Sequence, residues 1–383
     1  MRQQGERVPP DGDFTLSDRA QKEIVKLFIA SESSLEGRTI EEWFSEDFFE
    51  SNFWTYWATM FAFETWHSLA EMRRYLLRFV HAIDGLADFS ALKFNRYDQY
   101  DSMVKPLLAH LESHGVDFRY STTVRDVRVE TADGKVRAER LLLTVDGVQQ
   151  EQEVGEDDLV SVTNGSITES TTYGDHHTPA PPTTEPGGSW TLWENLAEQS
   201  PLFGRPGVFY RGLPERSWFV SATATVERRE VEEHIERLTQ QPDQTIVWIH
   251  ALYSDTEGAY VKKPVTECTG VEITQEWLYH LGVPEDRIPE PAAQESVNTV
   301  PVYMPFITSS FMPRRAGDRP AVVPEGSVNL AFIGNFAESP TRDTVCTTEY
   351  SVRTAMEAVY TVFDVERGVP EVFASATDLR GLL

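Results

Sequence analysis

Apolar residues recur at three- and four-residue spacing in several stretches of the chain, which predicts amphipathic helices. The clearest stretch spans residues 65–83. Its apolar face consists of Leu69, Met72, Leu76, Phe79 and Ile83, and Tyr75 lies between Met72 and Phe79 near the edge of this face. The same kind of pattern predicts further helices over residues 15–30, 101–114, 190–199, 227–240, 273–282 and 344–365.

Strands are predicted where apolar residues alternate with polar ones or form short runs. Alternation over 116–120 and 124–129 predicts extended chain, and a turn at 131–134 followed by an apolar run at 135–146 predicts a hairpin. Short apolar runs predict buried strands over residues 159–166, 245–252 and 328–334. Because helices and strands are mixed along the chain, we expect an α/β fold of the mixed α+β kind.

Residues 40–63 form an aromatic-rich segment that admits two interpretations. Its rings are Trp43, Phe44, Phe48, Phe49, Phe53, Trp54, Tyr56, Trp57, Phe61 and Phe63. Core packing accounts for most of them, because aromatic side chains bury large apolar areas. So many rings beside Met60 could also form the wall of a long apolar ligand cavity.

The charge of the chain excludes several classes of partner. Its 34 basic and 61 acidic residues give a net charge of −27, which repels nucleic acids and anionic membrane surfaces. Arginine outnumbers lysine 27 to 7. This acid excess with scarce lysine suggests a halophilic cytosol, where salt screens self-repulsion, and an ordinary acidic cytosolic protein is the alternative.

Targeting signals and generic chemical motifs are both missing from the sequence. Without a signal peptide or a run of 18 apolar residues, we expect a cytoplasmic protein and no stable membrane insertion. Two cysteines exclude a disulfide framework and a four-cysteine zinc site, and we expect no metal site. The dinucleotide glycine fingerprint, the Walker loop, the His-Glu-x-x-His motif and the Gly-x-Ser-x-Gly motif do not occur.

Eight stretches of the sequence are together distinctive enough to identify a family. They read NFWTYWATMFAF at 52–63, WHS at 66–68, EMRRY at 71–75, YDQYDS at 97–102, VTNGS at 162–166, MPFITSSFMPR at 304–314, FIGNF at 332–336 and TTEYSVR at 347–353. In this order, and over nearly the whole chain, they resemble the oleate hydratases, formerly called myosin-cross-reactive antigens.

The resemblance implies an activity, a cofactor and a fold. The family hydrates the cis double bond of unsaturated fatty acids to 10-hydroxy products, binds FAD and often forms homodimers. Its fold resembles FAD-linked amine-oxidase-type folds, with a Rossmann-like domain and an inserted substrate domain. Family members open with a βαβ unit carrying the glycine fingerprint, and this sequence starts after it. We therefore expect an incomplete FAD-binding domain, with a separate N-terminal FAD-binding polypeptide as a candidate partner. Whether this chain alone is active is left open.

A loop rich in proline and glycine at residues 174–190 is a candidate domain boundary. The expected division is a helical, aromatic-rich substrate-cavity segment over 1–100, part of the FAD-binding domain over 101–185, a substrate domain over 186–300, and a return to the FAD-binding domain over 301–383.

Hydration of an alkene needs an acid for one carbon and a base that steers water to the other. By resemblance Tyr75 is the proton donor, and Gln99, 24 positions later, is the active-site glutamine that orients water or substrate. A phenol of pKa about 10 is a weak acid, so it needs a positive or hydrogen-bonding neighbourhood. The nearby basic residues are Arg73, Arg74 and Arg78. The alternative for Tyr75 is a boundary residue with a bonded hydroxyl.

The resemblance also places FAD contacts at strand ends and at one helix start. These residues are Val124, Asn164, Gly165, Ser166, Gly334, Asn335, Thr344 and Val345. Each glycine is also consistent with an ordinary turn. Because net hydration changes no oxidation state, FAD is expected to serve structure and electrostatics.

Recognition of the substrate carboxylate is less specific in the sequence. The family spacing is Thr-x-Asn-x-x-x-His, and the nearest match is Thr223, Thr225 and Arg229. Arg229 is able to pair a carboxylate bidentately, while a solvated Arg228–Arg229 pair is the alternative. Two other functions stay open, a redox flavoprotein of the amine oxidase or desaturase type and a non-catalytic fatty-acid-binding remnant.

Overall fold

The main hydrophobic clusters lie in three parts of the described chain. The computed structural model describes residues 2–3, 6–7, 12–87, 90, 98–164, 167–213, 219–227, 244–251, 253–289, 297–339, 343–345 and 347–372. Helices and strands are mixed along it, which confirms the predicted α/β class. Within these residues no helix is both long and apolar enough to cross a membrane.

The helices follow the predicted apolar faces. They are α1 Asp18–Ile29, α2 Glu46–Phe49, α3 Asn52–Phe61, α4 Leu69–Phe79, α5 Lys105–Ser113, α6 Gly187–Gln199, α7 Gly207–Tyr210, α8 Gly270–Leu281 and α9 Thr348–Val362. Serine or threonine side chains cap the N-termini of α1, α3, α4, α8 and α9, where the first backbone N–H groups have no partner within the helix.

The strands form four sheets. They are β1 Arg2–Gln3, β2 Glu6–Arg7, β3 Thr122–Ala132, β4 Lys135–Val145, β5 Val148–Glu153, β6 Val160–Thr163, β7 Thr172–Tyr173, β8 Phe219–Glu227, β9 Gln244–Ala251, β10 Val297–Met304 and β11 Leu330–Ile333. The strand orders are β1-β2, β3-β4-β5, β7-β10-β8-β9 and β11-β6. Only β6 and β11 pair in parallel among the described strands.

Each cluster belongs to a different part of the fold. The first contains side chains of the four helices α1, α2, α3 and α4 together with Phe311, and it buries most of the aromatic-rich segment. The second packs α6 against β3, β4, β6 and β11. The third packs α8 against one face of the sheet that contains β8, β9 and β10. The core-packing interpretation of the aromatic-rich segment is therefore correct for most of its rings.

Several predicted boundaries need correction. The predicted strand at 116–120 is wrong, because these five residues belong to no strand and β3 begins only at Thr122. The helix predicted from 344 begins at Thr348, where the Thr347 side chain accepts a hydrogen bond from the Tyr350 N–H. In the helix predicted over 227–240, Glu227 ends β8, and residues 228–240 lie outside the described residues.

Candidate functional site

Helix α4 carries the predicted proton donor at the border between two chemically different faces. Tyr75 is only 2% exposed, and it follows Glu71 by one helical turn. On one side of this border lie Met72, Leu76 and Phe79, and on the other lie Glu71, Arg74 and Arg78. The predicted position of Tyr75 near the edge of the apolar face is confirmed.

The Tyr75 ring lies in a cage of phenylalanines. Its centroid is 5.3 Å from that of Phe61, 5.2 Å from Phe63, 5.3 Å from Phe311 and 5.9 Å from Phe79. The rings of Phe61, Phe63 and Phe311 meet it edge to face, an arrangement that aromatic pairs favour. These contacts fix the phenol ring in an apolar setting on this side.

The polar face of α4 is held by a buried ionic network. Arg314 approaches Glu71 Oε1 with its Nη2 at 2.7 Å and Glu338 Oε2 with its Nη1 at 2.9 Å. Arg74 reaches Glu338 Oε1 at 2.9 Å and also pairs with Glu32. The Arg319 Nη1 lies 3.7 Å from Glu71 Oε1, and its Nη2 donates to the Ser310 carbonyl at 3.3 Å. The network ties α4 to segments more than 240 positions away.

The electrostatics of this network shift several pKa values. Burial alone would raise the pKa of Glu71, but the guanidiniums of Arg74 and Arg314 outweigh it and lower the pKa. The same balance, with Arg314 as the stronger cation, brings the pKa of Glu338 to about 2. Burial and the neighbouring Arg314 lower the pKa of Arg319 to about 10. Both carboxyl groups are therefore ionised at neutral pH.

The three arginines near Tyr75 in sequence have other contacts. Arg73 donates to the carbonyls of Leu27 and Phe28 at 3.1 and 3.2 Å. Arg78 lies 3.4 Å from Asp343 and 3.5 Å from Glu349. Together with Arg74 they bind α4 to α1 and to the start of α9, so the positive surroundings expected for Tyr75 serve mainly to place its helix.

A cavity of about 430 Å³ opens beside the ionic face of α4. Its lining includes Ala70, Arg74, Leu202, Arg314, Arg319 and Glu338. The volume lies within the range of small-ligand sites. Most of the polar groups of the network are already paired with one another, so the cavity presents mainly apolar surface and the edges of ion pairs.

The predicted cofactor residues at the strand ends are brought together. The parallel strands β6 and β11 end side by side at Thr163 and Ile333, and Asn164 and Gly334 follow directly. Gly334 has φ +90°, and a Cβ placed on it would lie 3.2 Å from Thr163 Oγ1 and 3.8 Å from the Asn164 carbonyl oxygen. The glycine is thus required both by its backbone conformation and by this close approach. Asn335 follows it directly and is half-buried.

Thr344 and Val345 are buried in a turn just before α9, so they do not form its first turn as predicted. The Thr344 hydroxyl has no hydrogen-bond partner within the described part of the chain. Buried polar groups are normally paired, so this hydroxyl is available to a bound group. This buried hydroxyl without a hydrogen-bond partner, the conformation of Gly334 and the adjoining strand ends fit a cofactor placed beyond the carboxyl ends of the parallel strands.

Other predicted site residues lie apart or outside the described residues. Gln99 is exposed just before the π-helical turn Tyr100–Val104, and the described contacts do not join it to Tyr75. Val124 lies in β3, half exposed, next to Arg125, whose carbonyl accepts from Asn195 of α6. Gly165, Ser166 and Arg229 fall outside the described residues.

The backbone register fixes the position of Thr223 and Thr225, although their side chains are not described. Both belong to β8, where Thr223 pairs with Trp248 of β9 and with Val300 of β10. Thr225 pairs with Ile246 and Asn298. Two of the three predicted substrate residues thus lie on β8, one of the two inner strands of the four-stranded sheet.

Sequence reasoning missed the ionic network. Its members are Glu32, Glu71, Arg74, Arg314, Arg319 and Glu338. One signal was present, because Glu71, Arg74 and Arg78 recur at helical spacing on the face opposite to Met72 and Leu76. Their partners near positions 314 and 338 could not be assigned from local pattern. Among the described residues, no group of histidine, cysteine and acidic side chains could hold a metal ion.

Comparison with known proteins gives a consistent result. A model of the MCRA family matches residues 1–242 and 238–360. An oleate hydratase of Streptococcus pyogenes serotype M49 (strain NZ131) is 57% identical over 419 residues, which cover 100% of this chain and 71% of the relative. A linoleate hydratase of Lactiplantibacillus plantarum is 30% identical over 415 residues, covering 94% of this chain and 72% of the relative.

Both alignments are longer than the 383 residues of this chain, so the relatives carry residues within the aligned region that this chain lacks. The two matches to the family model meet at residues 238–242, between β8 and β9.

Proposed function

Because this chain belongs to the MCRA family, we propose that it is a fatty acid hydratase, a hydro-lyase that adds water to the cis double bond of an unsaturated fatty acid. The proposed product is a 10-hydroxy fatty acid of the kind formed from oleate. The printed activities of the two relatives support the reaction class. The observation that carries the proposal is the Tyr75 phenol, held among phenylalanines on a helix that an ionic network fixes from its other side.

In the proposed reaction the Tyr75 O–H bond breaks as a new C–H bond forms at one olefinic carbon. Water forms the C–O bond at the neighbouring carbon and releases a proton, which restores the phenol. The product contains the atoms of the alkene plus one water. The two olefinic carbons taken together neither gain nor lose electrons. The apolar rings around Tyr75 exclude bulk water, which favours a positioned proton transfer over random solvent attack. Gln99 is proposed to orient water or substrate.

The residues proposed to hold FAD are those beyond the ends of the parallel strands. They are Asn164, Gly165, Ser166, Gly334, Asn335, Thr344 and Val345, with Val124 toward the adenine. The unpaired Thr344 hydroxyl and the close approach at Gly334 support this assignment. Bound FAD would supply structure and electrostatics without redox chemistry, because hydration consumes no electrons. The start of α9 presents its positive dipole end to the same region.

The substrate carboxylate is proposed to bind near Thr223, Thr225 and Arg229. The register supports the grouping of the two threonines, since both lie on β8 two residues apart and share one face of the strand. Arg229 would provide the bidentate cation for a carboxylate.

The decisive experiment incubates the full chain with FAD and oleate in ¹⁸O-labelled water and searches for labelled 10-hydroxystearate by mass spectrometry. Tyr75→Phe should lower the rate by about a hundredfold or more, the usual contribution of a positioned acid, while bound lipid and cofactor are retained. Tyr56→Phe is the matched control, because Tyr56 is a buried phenol in the same aromatic cluster and has no assigned role.

Equal turnover by Tyr75→Phe and the unaltered chain would refute the assignment of the proton donor. Substrate-dependent bleaching of the flavin would instead support the redox flavoprotein. Oleate binding without product, in the presence of every supplied component, would support the binding remnant.

A further inference from the structure

Large apolar side chains are exposed on one face of the four-stranded sheet. Its register forms three rows of positions across the strands β7, β10, β8 and β9. We name these positions the outer face: Tyr173, Val302, Ser221 and His250 in the first row, Val300, Thr223 and Trp248 in the second, and Asn298, Thr225 and Ile246 in the third.

The opposite face of the same sheet is a normal core. Ala222 and Ala224 of β8 are buried there, and Val247 and Ile249 of β9 pack toward α8. On the outer face, by contrast, Trp248 is 63% exposed and Ile246 is 53% exposed. The alternation is that of a sheet with one buried side and one open side, but large apolar side chains occupy the open side.

The outer face is also free of charge. None of its ten positions is Asp, Glu, Lys or Arg, in a chain whose residues are 25% charged. An exposed apolar surface of this kind marks a binding site more often than an accident of composition. A hydrocarbon chain that lies on this face contacts its apolar residues and meets no charged side chain of the face.

The outer face and the proposed proton donor both adjoin the C-terminal end of α3. The His250 side chain hydrogen-bonds the backbone of Thr59 in the last turn of α3, and burial lowers the pKa of this histidine. His250 and Trp248 are neighbours, with ring centroids 4.7 Å apart. Phe61 ends α3, and its ring lies 5.3 Å from that of Tyr75. The C-terminal end of α3 therefore lies between Tyr75 and the first row of the outer face.

From these observations we infer that the outer face binds the hydrocarbon chain of the substrate, with Trp248 and Ile246 as its principal contacts. The inference rests on the proposed function, because it assigns the same fatty acid to a face whose first row, at His250, contacts the end of α3 that also packs against Tyr75.

The test measures the affinity of the full chain for cis-parinaric acid by fluorescence and its displacement by oleate. Trp248→Ala should weaken oleate binding about tenfold or more, and Ile246→Asp should do the same by placing a charge against the hydrocarbon. Energy transfer from tryptophan to bound parinaric acid should fall sharply in Trp248→Phe, which preserves an aromatic ring. Tyr120→Ala is the matched control, because this ring is 71% exposed and lies outside the sheet.

The outcomes separate the inference from the proposed function. If oleate binds the unaltered chain and all the β9 variants bind equally well, the outer face is not the acyl site, while the proposed hydratase activity stands. If oleate does not bind the unaltered chain, both fail together. If the β9 variants change only the sedimentation behaviour, the face is a contact between protein copies and the inference is wrong.

Discussion

Helix α4 and strand β9 both carry large aromatic side chains, but Tyr75 of α4 is buried and Trp248 of β9 is exposed. Both faces of α4 are in contact with other parts of the protein. The apolar face packs among phenylalanines, and the ionic face is buried with its charges paired. On β9 one face packs against α8, and the other presents Trp248 and Ile246 to solvent. Both elements lie near the C-terminal end of α3.

This difference in burial matches two different tasks, the positioning of a proton donor on α4 and the binding of an acyl chain on β9. A group that must deliver a proton at one point benefits from a helix that cannot shift, and α4 is held by contacts to three distant segments. A surface that accommodates a flexible chain needs accessible apolar area instead of rigid pairing, and β9 provides it. The following predictions test this contrast, beginning with the largest expected effect.

Glu71→Gln should lower the free energy of unfolding by about 3–5 kcal/mol, because it removes one buried charge and leaves the guanidiniums around it uncompensated. The measurement is urea denaturation followed by circular dichroism. The control is Glu151→Gln, whose partner Arg140 lies 2.9 Å away on an exposed hairpin and whose loss should cost about 1 kcal/mol or less. Equal effects of the two variants would show that the α4 network does not fix the helix.

Acid should destabilise the α4 side of the protein through Glu338. Its pKa falls from an ordinary 4.5 to about 2 in the folded state, so its stabilising effect is complete above pH 4.5 and is lost as the pH falls toward 2. The shift corresponds to about 3 kcal/mol. We expect unfolding free energy to decline over this range, and Glu338→Gln should flatten the decline. An unchanged slope in the variant would contradict the assigned cause.

The smallest effect is expected on the open sheet. Trp248→Ala should change the free energy of unfolding by no more than about 0.5 kcal/mol, because an exposed ring contributes little to the folded core. The same substitution at the buried Trp193 should cost about 3–5 kcal/mol. A large loss of stability at Trp248 would mean that this ring is part of the fold and would weaken its assignment as a binding residue.

The local pattern of apolar residues was sufficient to predict most of the described helices and strands. Apolar spacing located α1, α4, α6, α8 and α9 within a few residues, and the runs near 160, 245 and 330 each became strands. The parallel pairing of β6 with β11 could not be derived from spacing, because it joins residues 170 positions apart and depends on tertiary packing. The segment 116–120 alternates like a strand but has no neighbouring strand to pair with.

The candidate site was only partly predictable. The pattern placed Tyr75 at a face boundary, and the resemblance grouped Asn164 with Gly334, which are neighbours at the strand ends. Neither argument revealed that Glu71 would be fully buried, because a charged residue on a helix is usually solvated. Its burial depends on arginines about 240 positions later, which no local pattern connects to it.

Arg78 contacts Asp343 and Glu349, on either side of the turn that contains Thr344. Arg78 therefore holds both α4, which carries Tyr75, and the turn that contains Thr344. Because both depend on the same guanidinium, the free-energy cost of tilting α4 and that of loosening the turn are not independent. A ligand that orders the turn would therefore also restrict the orientations of Tyr75. By thermodynamic reciprocity, a molecule that immobilises Tyr75 would increase the affinity of the turn for that ligand by the same factor.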